Sequence, residues 1–210
     1  MKIKFVLLLL AVTAGGFSAR ADSSFFIAPG FRGQPGTAYS GWENFTNALD
    51  GPNHADLAGS AGNAFITQTT PGAFLTPNIY SFSSTNTFTL TDSTSYTLGT
   101  VVLQLRNGTG TNPFDYNSVR LEYDNGGGPQ SLFTTRTELN DTGGGVASLW
   151  NWDVSSLGIN SYKIYFNASD VSLSLDAAAL DTQVVPEPSA LALSGLGLVL
   201  LGKRRFRRRA

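Results

Sequence analysis

Val119-Arg120-Leu121-Glu122-Tyr123 alternates apolar and charged side chains one by one. A period of two places Val119, Leu121 and Tyr123 on one face of an extended strand, and Arg120 and Glu122 on the other. Asp124-Asn125-Gly126-Gly127-Gly128 follows and supplies the positive-φ positions that a hairpin needs. Ser131 to Arg136 then returns, with Leu132 and Thr134 opposed to Phe133 and Thr135.

The same signature recurs outward from this hairpin. Val171-Ser172-Leu173-Ser174-Leu175-Asp176 alternates strictly, which sends Val171, Leu173 and Leu175 to a core. Short runs with β-branched and aromatic residues predict strands over Phe25–Ala28, Ala64–Thr69, Asn78–Phe82, Thr87–Thr91, Thr100–Arg106, Ser118–Asp124, Gln130–Thr137, Val146–Val154, Tyr162–Asn167 and Val171–Leu180. Asn107-Gly108 and Asp141-Thr142-Gly143-Gly144-Gly145 mark further turns, and no stretch between the two chain ends has a helical period. The fold expected is all-β, a single β-sandwich of jelly-roll type. A β-solenoid ranks behind it, because no fixed repeat is present. Pro29–Gly62, rich in Gly, Pro and Asn, is expected to pack as loops over one end.

Both chain ends read as targeting segments. Met1-Lys2-Ile3-Lys4 is a short basic start, Phe5 to Val12 is apolar, and Ala19-Arg20-Ala21 places small residues at the two positions a signal peptidase reads. Cleavage after Ala21 leaves Asp22 as the mature N-terminus. At the other end, Val185-Pro186-Glu187-Pro188 precedes an uncharged run from Ser189 to Gly202 and then six cations, Lys203, Arg204, Arg205, Arg207, Arg208 and Arg209. The prolines fix φ and hold Glu187 extended, as a processing enzyme requires. The apolar run enters a bilayer as a helix, and the cations stay on the cytoplasmic side. The run has 14 residues, which at the usual helical rise is about 21 Å against a hydrocarbon core of about 30 Å.

This tail resembles the PEP-CTERM sorting signal of Gram-negative bacteria, through Pro186-Glu187-Pro188, Ser189-Ala190-Leu191-Ala192-Leu193 with the Gly-containing run, and the terminal arginines. The resemblance implies recognition by an exosortase, transient anchoring in the inner membrane, and loss of the tail on delivery to the cell surface or extracellular matrix. The chain thus divides into a signal peptide (1–21), a sandwich domain (22–184) and a sorting signal (185–210).

Removing these ends changes the charge. The whole chain carries −1. Five cations remain between the ends, Arg32, Arg106, Arg120, Arg136 and Lys163, against fifteen acidic residues between Asp22 and Glu187, which leaves −10. Such a domain repels phosphate backbones, so nucleic acid is not an expected partner. The absence of cysteine excludes thiolate chemistry and iron–sulfur clusters.

No enzyme is expected and no cofactor is required. His54, the only histidine, lies in the loop-like run Gly51-Pro52-Asn53-His54-Ala55-Asp56, with no Gly-x-Ser-x-Gly elbow or His-Glu-x-x-His pair. Asp50, Asn53 and Asp56, with Asp176 or Asp181, offer oxygens suited to a structural calcium ion. Asx residues also make such turns without metal. A surface polysaccharide is the alternative partner. Tyr39, Trp42 and Phe45 are the candidate stacking platform, while Trp150 and Trp152 share a strand face with Val154 and read as core. A secreted glycoside-active enzyme stands third, resting only on the number of carboxylates.

Overall fold

Alternation sets the strands here, and their pairing sets the layers. The computed structural model describes residues 25–139 and 144–185, and every regular element within them is a strand. The first sheet contains β1 (Thr37–Trp42), β4 (Phe74–Leu75), β5 (Ile79–Tyr80), β7 (Leu98–Asn107), β10 (Thr137–Leu139), β11 (Val146–Asp153) and β13 (Ser174–Val184). Its order is β10-β11-β7-β13-β5-β4, with β1 paired to the second half of β13. The second sheet contains β2 (Asn53–His54), β3 (Phe65–Gln68), β6 (Thr87–Ser93), β8 (Phe114–Tyr123), β9 (Gln130–Leu132) and β12 (Ser161–Ala168), in the order β2-β3-β6-β12-β8-β9. Every pairing is antiparallel.

The two sheets share one core. Leu103, Leu105, Trp150 and Leu180 of the first meet Phe88, Leu90, Leu121, Ile164 and Phe166 of the second in a single buried cluster. Phe88 and Phe166 stack with centroids 5.0 Å apart, a cross-strand pair of β6 and β12. Trp150 and Trp152 are core residues, as expected, and so are Val119, Leu121 and Tyr123.

β13 changes phase midway. Leu175 faces the core, but the register shifts between Leu175 and Ala177, so that Ala178 and Leu180 resume the inward positions. A bulge of this kind re-aims one side chain, here Asp176. By the same alternation Val102, Gln104, Arg106, Ala177, Ala179 and Asp181 point away from the core, yet all six are buried. The segment before β1 covers them. The Gln104 amide donates to Ile27 O and accepts from Ile27 N, both at 2.9 Å. Arg32 forks onto Asp181 at 2.5 and 2.6 Å, and the Arg106 guanidinium lies 3.8 Å from the Phe25 ring centroid. Ala177 and Ala179 leave the room this arm needs.

Four expectations are corrected. Phe25–Ala28 is not a strand; it belongs to the arm, and a Gln104 side chain stands where a neighbouring strand's backbone would be. Gln130–Thr137 is two strands in different sheets, joined by a crossing at Phe133–Arg136; the return pairing Leu121–Leu132 does hold. Pro29–Gly62 is not all loop, because it contains β1 and β2. The last strand starts at Ser174 rather than Val171, after Ser172 takes a φ of 64°, and it runs on to Val184.

Candidate functional site

The two ends of β13 carry the features that bear most on function. At its C-terminal end, Val184 N–H donates to Gly36 O at 2.9 Å and Val185 N–H to Thr97 O at 2.8 Å. Val185 is therefore still hydrogen-bonded to the fold when the next residue begins the proline motif. Two close approaches frame this exit. Gly36 has φ +78°, and a Cβ there would lie 2.8 Å from Val184 Cγ2; at Gly99 a Cβ would meet Gln183 O at 3.3 Å. Beside the exit lies a hollow of about 460 Å³ lined by Thr100, Asn151, Asp153, Gln183, Val184 and Val185. Ser155 donates both its hydroxyl and its N–H to Asp153, which holds that carboxyl below the ordinary aspartate range.

At the other end, β5 pairs with the start of β13 and carries β4 at its edge. Ile79 is fully buried, so Asn78 and Tyr80 lie on the outer face, with Phe82 continuing the same alternation. Phe74, opposite Tyr80, completes a cluster with centroids 4.6 to 5.3 Å apart, in which Phe82 is 68% exposed. Asn78 donates to Asp176 and to Ser174, and Asp176 pairs with Arg106. A patch of aromatic rings thus borders a network of amide, carboxylate and guanidinium. Sequence reading placed a strand at Asn78–Phe82 but did not single out these residues. The Asn78-x-Tyr80-x-Phe82 spacing was visible; which face looks outward depends on pairing with β13.

The predicted platform is overturned. Tyr39, Trp42 and Phe45 are 6%, 0% and 4% exposed, and Trp42 donates its indole N–H to Asn53 O at 2.9 Å. They stand on the strand and loop that sequence reading left irregular, where the core absorbs Trp42 and Phe45 and Arg32 covers Tyr39.

Four of the five candidate oxygen ligands have protein partners of their own. Asn53 Oδ1 accepts from Thr46 N–H and Asn47 N–H, and Asp56 accepts from Glu43 N–H and the Asn44 amide. Asp50 has φ 53°, while Asp176 and Asp181 are engaged by Arg106 and Arg32. Among the described residues, no three carboxylates or histidines converge on a point that could hold a metal. His54 stands on β2 with the Phe65 ring 6.0 Å away.

Burial dominates the remaining titrations. It raises Asp181 even against the Arg32 fork, raises Asp92 against the hydrogen bond that Tyr162 donates at 3.0 Å, and pushes Tyr39 up to about 12.

Ala19, Ala21, Pro186, Glu187, Pro188 and the cations from Lys203 to Arg209 lie outside the described residues; Val185 is within them. Comparison of the sequence with known families matches residues 184–209 to the PEP-CTERM protein-sorting motif. No curated protein matches the chain.

Proposed function

We propose that this chain, which carries a PEP-CTERM protein-sorting motif, is a non-enzymatic protein of the cell surface or extracellular matrix. The sorting motif implies export and processing by an exosortase. The observation that carries the reading is continuity: the matched segment starts at Val184, the last residue of β13, so the sorting signal is joined to the fold without a linker. The domain is read as a jelly roll. Supporting that, β1-β13-β7-β11 and β6-β12-β8-β9 form two four-stranded sets between which the chain passes repeatedly. The non-enzymatic reading is supported by how the carboxylates are engaged. Asp176 and Asp181 face arginines, Asp92 faces Tyr162, and Asp56, Asp115, Asp124 and Asp153 accept from nearby backbone N–H groups.

Replacing Pro186-Glu187-Pro188 with alanines tests the sorting reading. The variant is expected to cross the inner membrane and accumulate there with Lys203–Ala210 attached. Processing and display like the parent would refute the assignment.

A second reading is polysaccharide binding, favoured by the Phe74–Tyr80–Phe82 cluster. Aromatic faces pack on the C–H faces of sugars, and the Asn78–Asp176 network borders them with polar groups. Pull-down of the 22–185 fragment on the host's exopolysaccharide checks it. Binding is expected to fall at least about tenfold in Phe82→Ala, the loss of about 1.4 kcal/mol, while equal retention of both proteins would sink the idea.

A further inference from the structure

We propose that the end of the domain from which the tail leaves rests against the outer leaflet of the inner membrane while the tail is inserted, with Tyr96 seated among the lipid headgroups. The inference rests on the membrane-anchored sorting read above.

Chain length makes the first argument. Val185 is hydrogen-bonded to Thr97, and the apolar run begins at Ser189. Only Pro186, Glu187 and Pro188 lie between, a reach of at most about 14 Å from Val185 to Ser189 when fully extended. The headgroup layer takes up roughly 5 to 8 Å of that. Because the apolar run falls about 9 Å short of the hydrocarbon core as a helix, either the bilayer thins or the flanking residues are drawn inward. Each response shortens the gap.

Composition makes the second. Three loops surround the exit, tied to it or to one another by backbone hydrogen bonds: Gly33–Gly36 through Val184, Ser93–Thr97 through Val185, and Ser155–Asn160 through Ile159 and Asn160. None contains Asp, Glu, Lys or Arg, in a domain that otherwise carries −10. Asp92, directly before the middle loop, is buried against Tyr162; Asp153 lies in the adjoining hollow, and Glu187 follows the exit itself. An uncharged rim meets an anionic leaflet without the repulsion that the rest of this acidic surface would meet. Tyr96, on the middle loop, is 58% exposed. Its amphipathic ring suits the interface, where tyrosine is enriched. The aromatic hairpin around Phe82 sits at the far end of β13, 11 residues and about 35 Å away, so the same posture directs it outward.

The chain has no cysteine, so single probes can be placed at will. Tail-bearing protein carrying Ser95→Cys, Ser156→Cys or Ser84→Cys is labelled with an environment-sensitive fluorophore. It is then incorporated into phosphatidylethanolamine–phosphatidylglycerol vesicles containing a headgroup spin label. Probes at 95 and 156 are expected to be quenched severalfold more than the probe at 84. Equal quenching at both ends, in protein that floats with the vesicles, overturns the apposition and leaves the anchor standing. Protein that fails to float overturns the anchor and this inference with it.

Discussion

At the scale of single residues, four of the five cations between the chain ends rest on aromatic rings, while Lys163 is exposed. Arg32, Arg106, Arg120 and Arg136 each lie over an aromatic ring, at 4.1, 3.8, 4.5 and 3.8 Å from the centroids of Tyr39, Phe25, Tyr165 and Tyr116. Two of them also clamp buried or half-buried carboxylates across the outer face of the first sheet. Asp181 is fully buried, so Asp181→Ala removes both hydrogen bonds of the Arg32 fork and is expected to cost about 3 to 5 kcal/mol in urea denaturation. Asp92 is held by neutral donors alone, Tyr162 and the Ser93 backbone. Its folded-state pKa is raised by burial, so its ionisation costs stability above that pKa, and the cost fades as pH falls toward the unfolded value. Asp92→Asn, which keeps an acceptor for Tyr162, is expected to melt at a higher temperature than the parent at pH 7 and to lose that margin near pH 4. A margin that grows on acidification would reverse the assignment. Gly36 stands at positive φ against Val184, so Gly36→Ala is expected to lose about 1 to 2 kcal/mol and to loosen the tail exit, read as faster amide exchange at Val184.

Among the elements, the arm before β1 is the least regular and the most consequential. The Gln104 amide, the Arg32–Asp181 ion pair and the ring contacts Arg106–Phe25 and Arg32–Tyr39 hold it. Gln104→Ala removes both hydrogen bonds to Ile27 and is expected to cost about 1 to 3 kcal/mol while exposing residues 27–36 to limited proteolysis. Unchanged cleavage would mean that the arm is held elsewhere. The arm also marks where sequence reading stops. Strands that alternate between a core face and a solvent face were visible locally, and β7, β8, β11 and β12 lie close to their expected positions. β1 was not visible, because Thr37-Ala38-Tyr39-Ser40-Gly41-Trp42 is a poor strand former that becomes one by pairing with β13. The switch of sheet after Leu132 was not visible either, since period two continues through Phe133 and Thr135 while the chain changes layer. The candidate site was half legible for the same reason. The sorting motif is a linear signal, whereas the outward face of Tyr80 and Phe82 is set by a partner strand about a hundred residues away.

For the whole molecule, the two ends of the sheets have separate surroundings, one close to the tail exit and one carrying exposed aromatic rings. A flexible Gly-Ser insert of about 20 residues between Val185 and Pro186 has a root-mean-square span near 25 Å, enough to lift the domain clear of a bilayer. Such an insert is expected to abolish the quenching of a probe at residue 95 while leaving the fold's melting temperature unchanged. The direct joining of tail to strand also has a mechanical meaning. Any pull on residue 185 runs along β13, which is registered at six positions with β1 and at nine with β7. Its hydrogen bonds lie across the direction of pull, so they are loaded together in shear rather than peeled one at a time. A protein held by its C-terminal end against flow would resist through its most heavily paired strand.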